Sequence, residues 1–196
     1  AAIHRSKQGV EAGTKFFVLS AISSAILLYG FAYIYGYTGS THLDVIMTRL
    51  AVIPTEAGVP FGSYAVLLSV IFIVAGFGFK MAIVPWHMWV PDVYQGAPTP
   101  VAAFLSVASK SAAFAVVMRI MYVGFGHDAL MQDWSSLFAI LAAVTMTVGN
   151  TLALSQSNIK RLLGYSTIAQ AGYILVGLAS VPANQVGATF EGAGLQ

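Results

Sequence analysis

The stretch that decides the fold class is FFVLSAISSAILLYGFAYIYG, which runs from Phe16 to Gly36 without a charged side chain. A helix that crosses the hydrocarbon core of a bilayer needs roughly 20 apolar residues, and this stretch is long enough. In lipid, every backbone polar group must be hydrogen-bonded within the protein, so a lone apolar span of this length is helical. The sequence therefore predicts an all-α integral membrane protein.

Further apolar stretches repeat this pattern along the 196-residue chain. The five predicted spans cover about residues 12–36, 61–84, 100–125, 135–154 and 162–181. The composition agrees, because 58% of the residues are hydrophobic and only 8% are charged, whereas soluble domains carry roughly 25% charged residues. A chain with so few charges cannot cover a water-facing surface, and a soluble globular class is excluded.

The basic residues near the ends of the spans predict the orientation. If the five spans alternate in direction, Arg5, Lys7, Lys160 and Arg161 lie on one side of the membrane, and among the loop bases only Arg49 lies on the other. Four acidic residues fall on that other side: Asp44, Glu56, Asp128 and Asp133. The positive-inside rule then predicts a cytoplasmic side for the start of the sequence. Because the bases are scattered rather than clustered on one face, no nucleic-acid partner is predicted.

Several classes of site are missing from the sequence. The chain has no cysteine, which excludes disulfides, iron–sulfur clusters and thiolate zinc sites on it. It has no glycine-rich phosphate loop, no His/Cys metal spacing and no pair of histidines within one span that could hold a heme. We therefore expect no nucleotide, metal or redox site on this chain. It begins at Ala1 without Met or a cleavable leader, and we interpret it as an internal piece of a longer polypeptide.

Two lysines fall within predicted spans. An ionisable side chain at mid-bilayer costs about 2.5–3.5 kcal/mol on insertion scales, so it usually faces a bundle interior and carries a function. Lys110 lies about 15 Å from either end of its span, too deep to reach the headgroups easily, whereas Lys80 lies near the end of its span. Desolvation allows a buried lysine to become neutral, so both are candidate proton carriers. The alternatives are a structural ion pair for Lys110 and an extension of Lys80 into the headgroups.

The connection after the second span contains two further titratable candidates. His87 follows Lys80 by seven residues, two turns of a helix, and a histidine can pass protons near neutral pH. Its position between two tryptophans also suits an anchor at the membrane interface. Asp92 is interpreted as a helix cap in preference to a proton-transferring acid. Glu11 and Lys15 are interpreted as an i,i+4 ion pair at the solvated start of the first span.

Other polar and small residues in the spans receive structural interpretations. The segment Gly76–Lys80 is the place where the sequence most favours unwound backbone. Arg119 is predicted to point away from Lys110 and to reach the headgroups. Thr145, Thr147 and Asn150 are predicted to make hydrogen bonds between helices.

Three sequence blocks carry a resemblance to a known family. They are FKMAIVPWHMWVPDVYQGAPTPV over residues 79–101, ASK over 108–110 and LSQSNIKRLLGYS over 154–166. The chain resembles the antiporter-like subunit N of respiratory complex I, the proton-translocating NADH:quinone oxidoreductase, over about residues 5–178. The motif DVYQGAP at residues 92–98 makes the chain resemble subunit N more than the sister subunits L and M.

The resemblance implies an antiporter-like bundle of about fourteen helices in two inverted repeats, each with one broken helix. Residues 1–196 would form one membrane domain, with the end of the first repeat at about 11–125 and the start of the second at about 134–182. Lys80 matches the lysine beside the break, Lys110 the lysine on the central axis, and His87 the family histidine, all three in proton transfer. The glutamate that partners the first lysine and the lysine of the second repeat lie outside this sequence.

The function that this resemblance implies is proton translocation, driven by redox chemistry in other subunits. NAD, flavin, iron–sulfur clusters and quinone would belong to partner subunits, with no cofactor on this chain. The expected partners are other membrane subunits of complex I and the lipid bilayer, in a bacterial inner membrane. Two alternatives stay open: a subunit of an Mrp-type cation/proton antiporter, which shares these helices, and a structural scaffold that does not pump.

Overall fold

The structure of the protein is a computed structural model, and it describes residues 7–52 and 63–180. In these ranges the chain forms helices and no strand. The helices are α1 (Lys7–Thr38), α2 (Leu43–Leu50), α3 (Tyr64–Met81), α4 (Trp89–Gly96), α5 (Thr99–Gly124), α6 (Asp128–Leu154) and α7 (Ile159–Ser180). Arg5 and Glu56, which the orientation prediction uses, lie outside the described residues.

Five of these helices, α1, α3, α5, α6 and α7, are long and apolar enough to cross a membrane. The predicted all-α membrane class is confirmed. The boundary of the fourth span is wrong, because α6 begins at Asp128 rather than near residue 135. Leu130, Met131 and Trp134 are buried along one face of this first part of α6, and the Trp134 indole N–H donates to the Phe125 carbonyl oxygen at 3.1 Å. This packing extends the helix through the segment that sequence alone predicts as a loop.

The glycines of α3 serve helix packing rather than unwinding. Backbone through Gly76 and Gly78 is regular helix, so the predicted unwound segment Gly76–Lys80 is wrong. A Cβ atom on Gly76 would lie 2.5 Å from the Leu27 Cβ of α1, and the Ser23 hydroxyl donates to the Gly76 carbonyl oxygen at 2.8 Å. A Cβ on Gly78 would collide with the Trp86 indole. These positions are glycine because α1 and Trp86 approach the α3 backbone closely.

The break in the helix occurs after α3, at residues 82–88. Ala82 adopts a left-handed conformation with φ of 59°, and the N–H groups of Ala82 and Ile83 donate to the carbonyl oxygens of Phe79 and Gly78. This is the Schellman arrangement that ends helices, usually with glycine at the left-handed position. The Val84–Pro85 peptide bond is cis. The chain resumes as α4, so the predicted broken helix is present, a few residues later than expected.

Candidate functional site

Lys110 is buried at the middle of α5, with 6% of its surface exposed. Its Nζ donates a hydrogen bond to the carbonyl oxygen of Thr167 on α7 at 3.0 Å. No carboxylate forms an ion pair with Lys110 among residues 7–52 and 63–180. In the described part of the chain, the predicted alternative of a structural ion pair is therefore not formed.

A local irregularity of α5 precedes Lys110 directly. Residues Leu105–Ser109 form a π-helical turn, and Lys110 is the first residue after it. Such turns insert one residue into a helix and are frequent at functional sites. Beyond it, Phe114 and Val117 continue the buried face of Lys110, while Arg119 is exposed on the other side, as predicted. Periodicity in the sequence does not signal this turn, because its residues are as apolar and small as those of a regular helix.

A pocket of about 260 Å³ lies between α4, α5 and α7, and Lys110 is not part of its lining. Its lining is Tyr94, Thr99, Ala102, Ala103, Ser106, Lys160, Leu163 and Thr167. Thr167 connects the pocket to Lys110, since its carbonyl oxygen accepts the lysine hydrogen bond. The Tyr94 hydroxyl is buried and has no partner with good hydrogen-bond geometry in the described part of the chain, although the Thr167 side chain lies near it. Burial raises the pKa of Tyr94, and the Thr167 side chain opposes this effect. The pocket surface is mostly apolar, and the Tyr94 hydroxyl is a position at which one water can bind.

Lys80 lies just before the helix break, and His87 lies within it. Lys80 is half-buried in the last turn of α3. The Nδ1 atom of His87 is buried and has no hydrogen-bond partner among the described residues. Burial lowers the pKa of His87 below its usual 6.5, so its imidazole is neutral at pH 7. No hydrogen bond joins Lys80, His87 and Lys110 to one another in the described ranges, so their common path stays a prediction.

Two side chains bond to backbone groups in the break and in the last turn of α3 before it. The Val84 N–H donates to the Thr145 hydroxyl oxygen of α6 at 3.1 Å, and the Trp89 indole N–H donates to the Phe79 carbonyl oxygen at 3.1 Å. Backbone freed from a helix within a membrane protein needs such partners. The sequence predicts an interhelical hydrogen bond for Thr145, but nothing in it indicates that the partner is the break.

An ionic group joins α1, α4 and α7. We call it the Asp92 network, and it consists of Glu11, Lys15, Asp92 and Arg161. The Lys15 Nζ lies 2.6 Å from Glu11 Oε1 and 2.7 Å from Asp92 Oδ2, and the Arg161 guanidinium lies 2.7 Å from Asp92 Oδ1. Hydrogen bonds from Lys15 and then Arg161 hold the pKa of Asp92 below its usual value, against the opposing effect of burial. The interpretation of Asp92 as a cap is wrong, because Met88 occupies that position and the carboxylate faces two cations.

The family model described as "NADH:quinone oxidoreductase/Mrp antiporter, TM" matches residues 1–192. The chain belongs to this family. Members of the NADH:quinone oxidoreductase/Mrp antiporter family are membrane proteins, and this chain is accordingly an integral multi-pass membrane protein.

Curated relatives within the NADH:quinone oxidoreductase/Mrp antiporter family indicate which kind of subunit the chain resembles. The chain is 51% identical over 181 residues to NADH-quinone oxidoreductase subunit N of Moorella thermoacetica, which covers 92% of this chain and 36% of that protein. It is 49% identical over 173 residues to subunit N of Heliobacterium modesticaldum, which covers 88% of this chain and 34% of that protein. The chain thus spans about a third of the length of the curated relatives it matches.

Solved structures of the same family share the fold. A chain of respiratory complex I from Thermus thermophilus matches with a TM-score of 0.71 and 39% identity, covering 89% of this chain and 35% of that one. A chain of the Mrp complex from a Dietzia species matches with a TM-score of 0.75 and 26% identity, covering 89% of this chain and 30% of that one. Within residues 7–52 and 63–180, no group of three or more His, Asp or Glu side chains is placed to hold a metal ion.

Proposed function

We propose that the chain is part of a proton-translocating membrane subunit of an NADH:quinone oxidoreductase. In this proposal, Lys110 takes up and releases protons, with Lys80 and His87 in the same path. Redox chemistry in other subunits drives the transfer. The observation that carries the proposal is the placement of Lys110, which is buried mid-span and hydrogen-bonded to a neutral acceptor.

A carbonyl acceptor suits a lysine that changes its charge. A carboxylate partner would favour the ammonium form strongly, and removing one member of a buried ion pair costs about 3–5 kcal/mol. The Thr167 carbonyl oxygen accepts a hydrogen bond from an ammonium and from a neutral amine alike, because both carry N–H groups. Lys110 can therefore keep its hydrogen bond at 3.0 Å in both protonation states.

The pocket between α4, α5 and α7 supplies access for protons. A volume of about 260 Å³ holds several waters, since one water occupies roughly 30 Å³ in the liquid. Three of its lining residues, Thr99, Ser106 and Tyr94, carry hydroxyl groups. Lys160 lies at the end that the alternating-span prediction assigns to the cytoplasmic side. Water held by these groups would connect that side to Lys110.

The helix break supplies a second proton position. At neutral pH the imidazole of His87 is neutral, and its unpartnered Nδ1 accepts a proton when the other ring nitrogen carries one. Lys80 precedes the break by two residues and has no ion-pair partner among the described residues. A carboxylate elsewhere in the full-length subunit would complete this position.

The relatives that bear the name subunit N support the setting that we propose. We place the chain in a multi-subunit complex with other membrane subunits, in a bacterial inner membrane, with NAD, flavin, iron–sulfur clusters and quinone on partner subunits. The end of the first inverted repeat would cover about residues 11–125 and the start of the second about 134–182. An Mrp-type antiporter is the second candidate, since the Dietzia Mrp chain reaches a TM-score of 0.75. Identity of 49–51% to subunit N, against 26% to that Mrp chain, favours the first.

The test uses Lys110→Ala in the full-length subunit, within its purified complex reconstituted into liposomes. We expect assembly to be kept and quinone-linked acidification of the liposomes to be lost. Arg119→Ala is the matched control, because Arg119 is a cation on the same helix with an exposed side chain. Wild-type pumping by Lys110→Ala would leave only the scaffold. Sodium-dependent transport by a complex without quinone reductase activity would favour the antiporter.

A further inference from the structure

We propose that Asp92 is a positioning residue for proton translocation, which holds α4 between α1 and α7 and so sets the shape of the pocket between α4, α5 and α7. This inference rests on the proposed function. It concerns a residue that does not itself carry the proton.

The two oxygens of the Asp92 carboxylate serve two different helices. Oδ2 accepts from Lys15 of α1 at 2.7 Å, and Oδ1 accepts from Arg161 of α7 at 2.7 Å. The Arg161 guanidinium also donates to the Gln95 side-chain oxygen at 3.1 Å, one turn further along α4. Among the described ion pairs, Asp92 is the residue that joins three helices.

On its α3 side the short helix α4 is held by the hydrogen bond from the Trp89 indole N–H to the Phe79 carbonyl oxygen, and Asp92 adds ties to α1 and α7. Helix α4 has eight residues, and the non-helical residues 82–88 separate it from α3. Trp89, Val90 and Val93 bury its apolar side, but apolar burial is non-directional and tolerates sliding. Two charge-assisted hydrogen bonds, each with a donor–acceptor distance of 2.7 Å, restrict the position of α4 along α1 and along α7.

The ion pair between Asp92 and Arg161 affects the pocket because α4 and α7, the two helices that it joins, both carry residues of the pocket lining. Tyr94 lies two residues after Asp92 on α4, and Thr167 lies on α7 with Arg161. Both line the pocket, and Thr167 also holds Lys110. A shift of α4 against α7 would therefore change the pocket and the surroundings of the lysine together.

The network is a constant tie rather than a pH switch. The charged or titratable groups that face Asp92 or its partners are Glu11 and Lys15 from α1 and Arg161 and Tyr165 from α7. Because the pKa of Asp92 lies below its usual 3.8, its contribution is complete above that value and is lost only as the pH falls through the lowered pKa. The tie is thus intact throughout the physiological range.

The test compares variants of the full-length subunit in its reconstituted complex. We expect Asp92→Asn to lower kcat of quinone-linked proton translocation about fivefold, with KM for quinone unchanged and assembly on native gels kept. Asp92→Glu should recover most of the rate. Glu11→Gln is the matched control with a wild-type rate, because Glu11 binds the same Lys15 within one helix and does not reach α7. Wild-type kcat in Asp92→Asn, or an equal loss in Glu11→Gln, would overturn the proposal.

A double-mutant cycle distinguishes the positioning role of Asp92 from an effect of its charge alone. Asp92→Asn combined with Arg161→Gln restores the net charge of the network without restoring the tie. We expect the double variant to be as slow as the slower single variant. Recovery of the wild-type rate would show that charge balance alone matters, and additive losses would show that the two residues act independently. Either result overturns the proposal, as does loss of assembly in both single variants.

The outcome for Lys110→Ala keeps the two proposals apart. If Lys110→Ala stops translocation and Asp92→Asn does not slow it, only the positioning role fails. If Lys110→Ala pumps as wild type, the proposed function fails, whatever Asp92→Asn does.

Discussion

The hydrogen bond between Thr145 and the helix break offers a test of how the break is held. Thr145→Val keeps the size and branching of a side chain that is completely buried, but removes the oxygen that accepts from the Val84 N–H at 3.1 Å. A buried donor left without a partner costs about 1–3 kcal/mol. Measured hydrogen bonds between membrane helices average about 0.6 kcal/mol, with a maximum near 1.7. Because Val84 is half-buried, we expect a loss of about 1 kcal/mol.

The assay is equilibrium unfolding of the full-length subunit in detergent, titrated with a denaturing detergent. A loss of about 1 kcal/mol lowers the ratio of folded to unfolded protein about fivefold. Thr147→Val is the control, since its exposed hydroxyl bonds only to the Ala143 carbonyl oxygen of its own helix, and we expect a change within about 0.5 kcal/mol. Equal unfolding free energies for the two variants would refute the role of Thr145 at the break.

Three further predictions concern the break and the orientation. Ala82→Gly should leave the free energy of unfolding within about 1 kcal/mol of the wild type in the same assay, because relief of the φ of 59° is offset by the loss of a completely buried methyl group; a loss above about 2 kcal/mol would contradict this. Because burial lowers the pKa of His87, the unfolded chain takes up its proton first, and stability should fall as the pH drops below about 6.5. His87→Gln should flatten that fall between about pH 7.5 and pH 5.5, and an unchanged slope would count against it. Cysteine labelling should find Lys160→Cys accessible from the cytoplasm and Asp128→Cys from the opposite side; labelling of the latter from the cytoplasm would contradict the alternating spans.

Features that depend on composition and length could be predicted from the sequence. The apolar run 16–36 predicts α1, because the thickness of the bilayer sets the length of a span. Within lipid, a single span can make all of its backbone hydrogen bonds only as a helix. The burial of Lys110 is equally predictable, since a cation at mid-span is too deep to reach the headgroups and faces the bundle interior. The opposite orientation of Arg119 followed from its spacing of nine residues along the same helix.

Features that depend on contacts between distant residues could not be predicted. The glycines Gly76 and Gly78 looked like a site of unwinding, because a glycine that weakens a helix and one that admits a neighbour are the same in sequence. Asp92 looked like a cap, since Lys15 and Arg161 are 77 and 69 residues away along the chain. The π-helical turn before Lys110 leaves no trace in periodicity.

Proton translocation by Lys110→Arg in the reconstituted complex tests directly whether Lys110 carries protons. Arginine keeps a positive charge and N–H donors for the Thr167 carbonyl oxygen, but it does not release its proton in proteins. A lysine that serves as a structural cation would therefore be replaced successfully, whereas a lysine that carries protons would not. We expect an assembled complex with little or no translocation, and wild-type translocation by Lys110→Arg would contradict the proton-carrying role of Lys110.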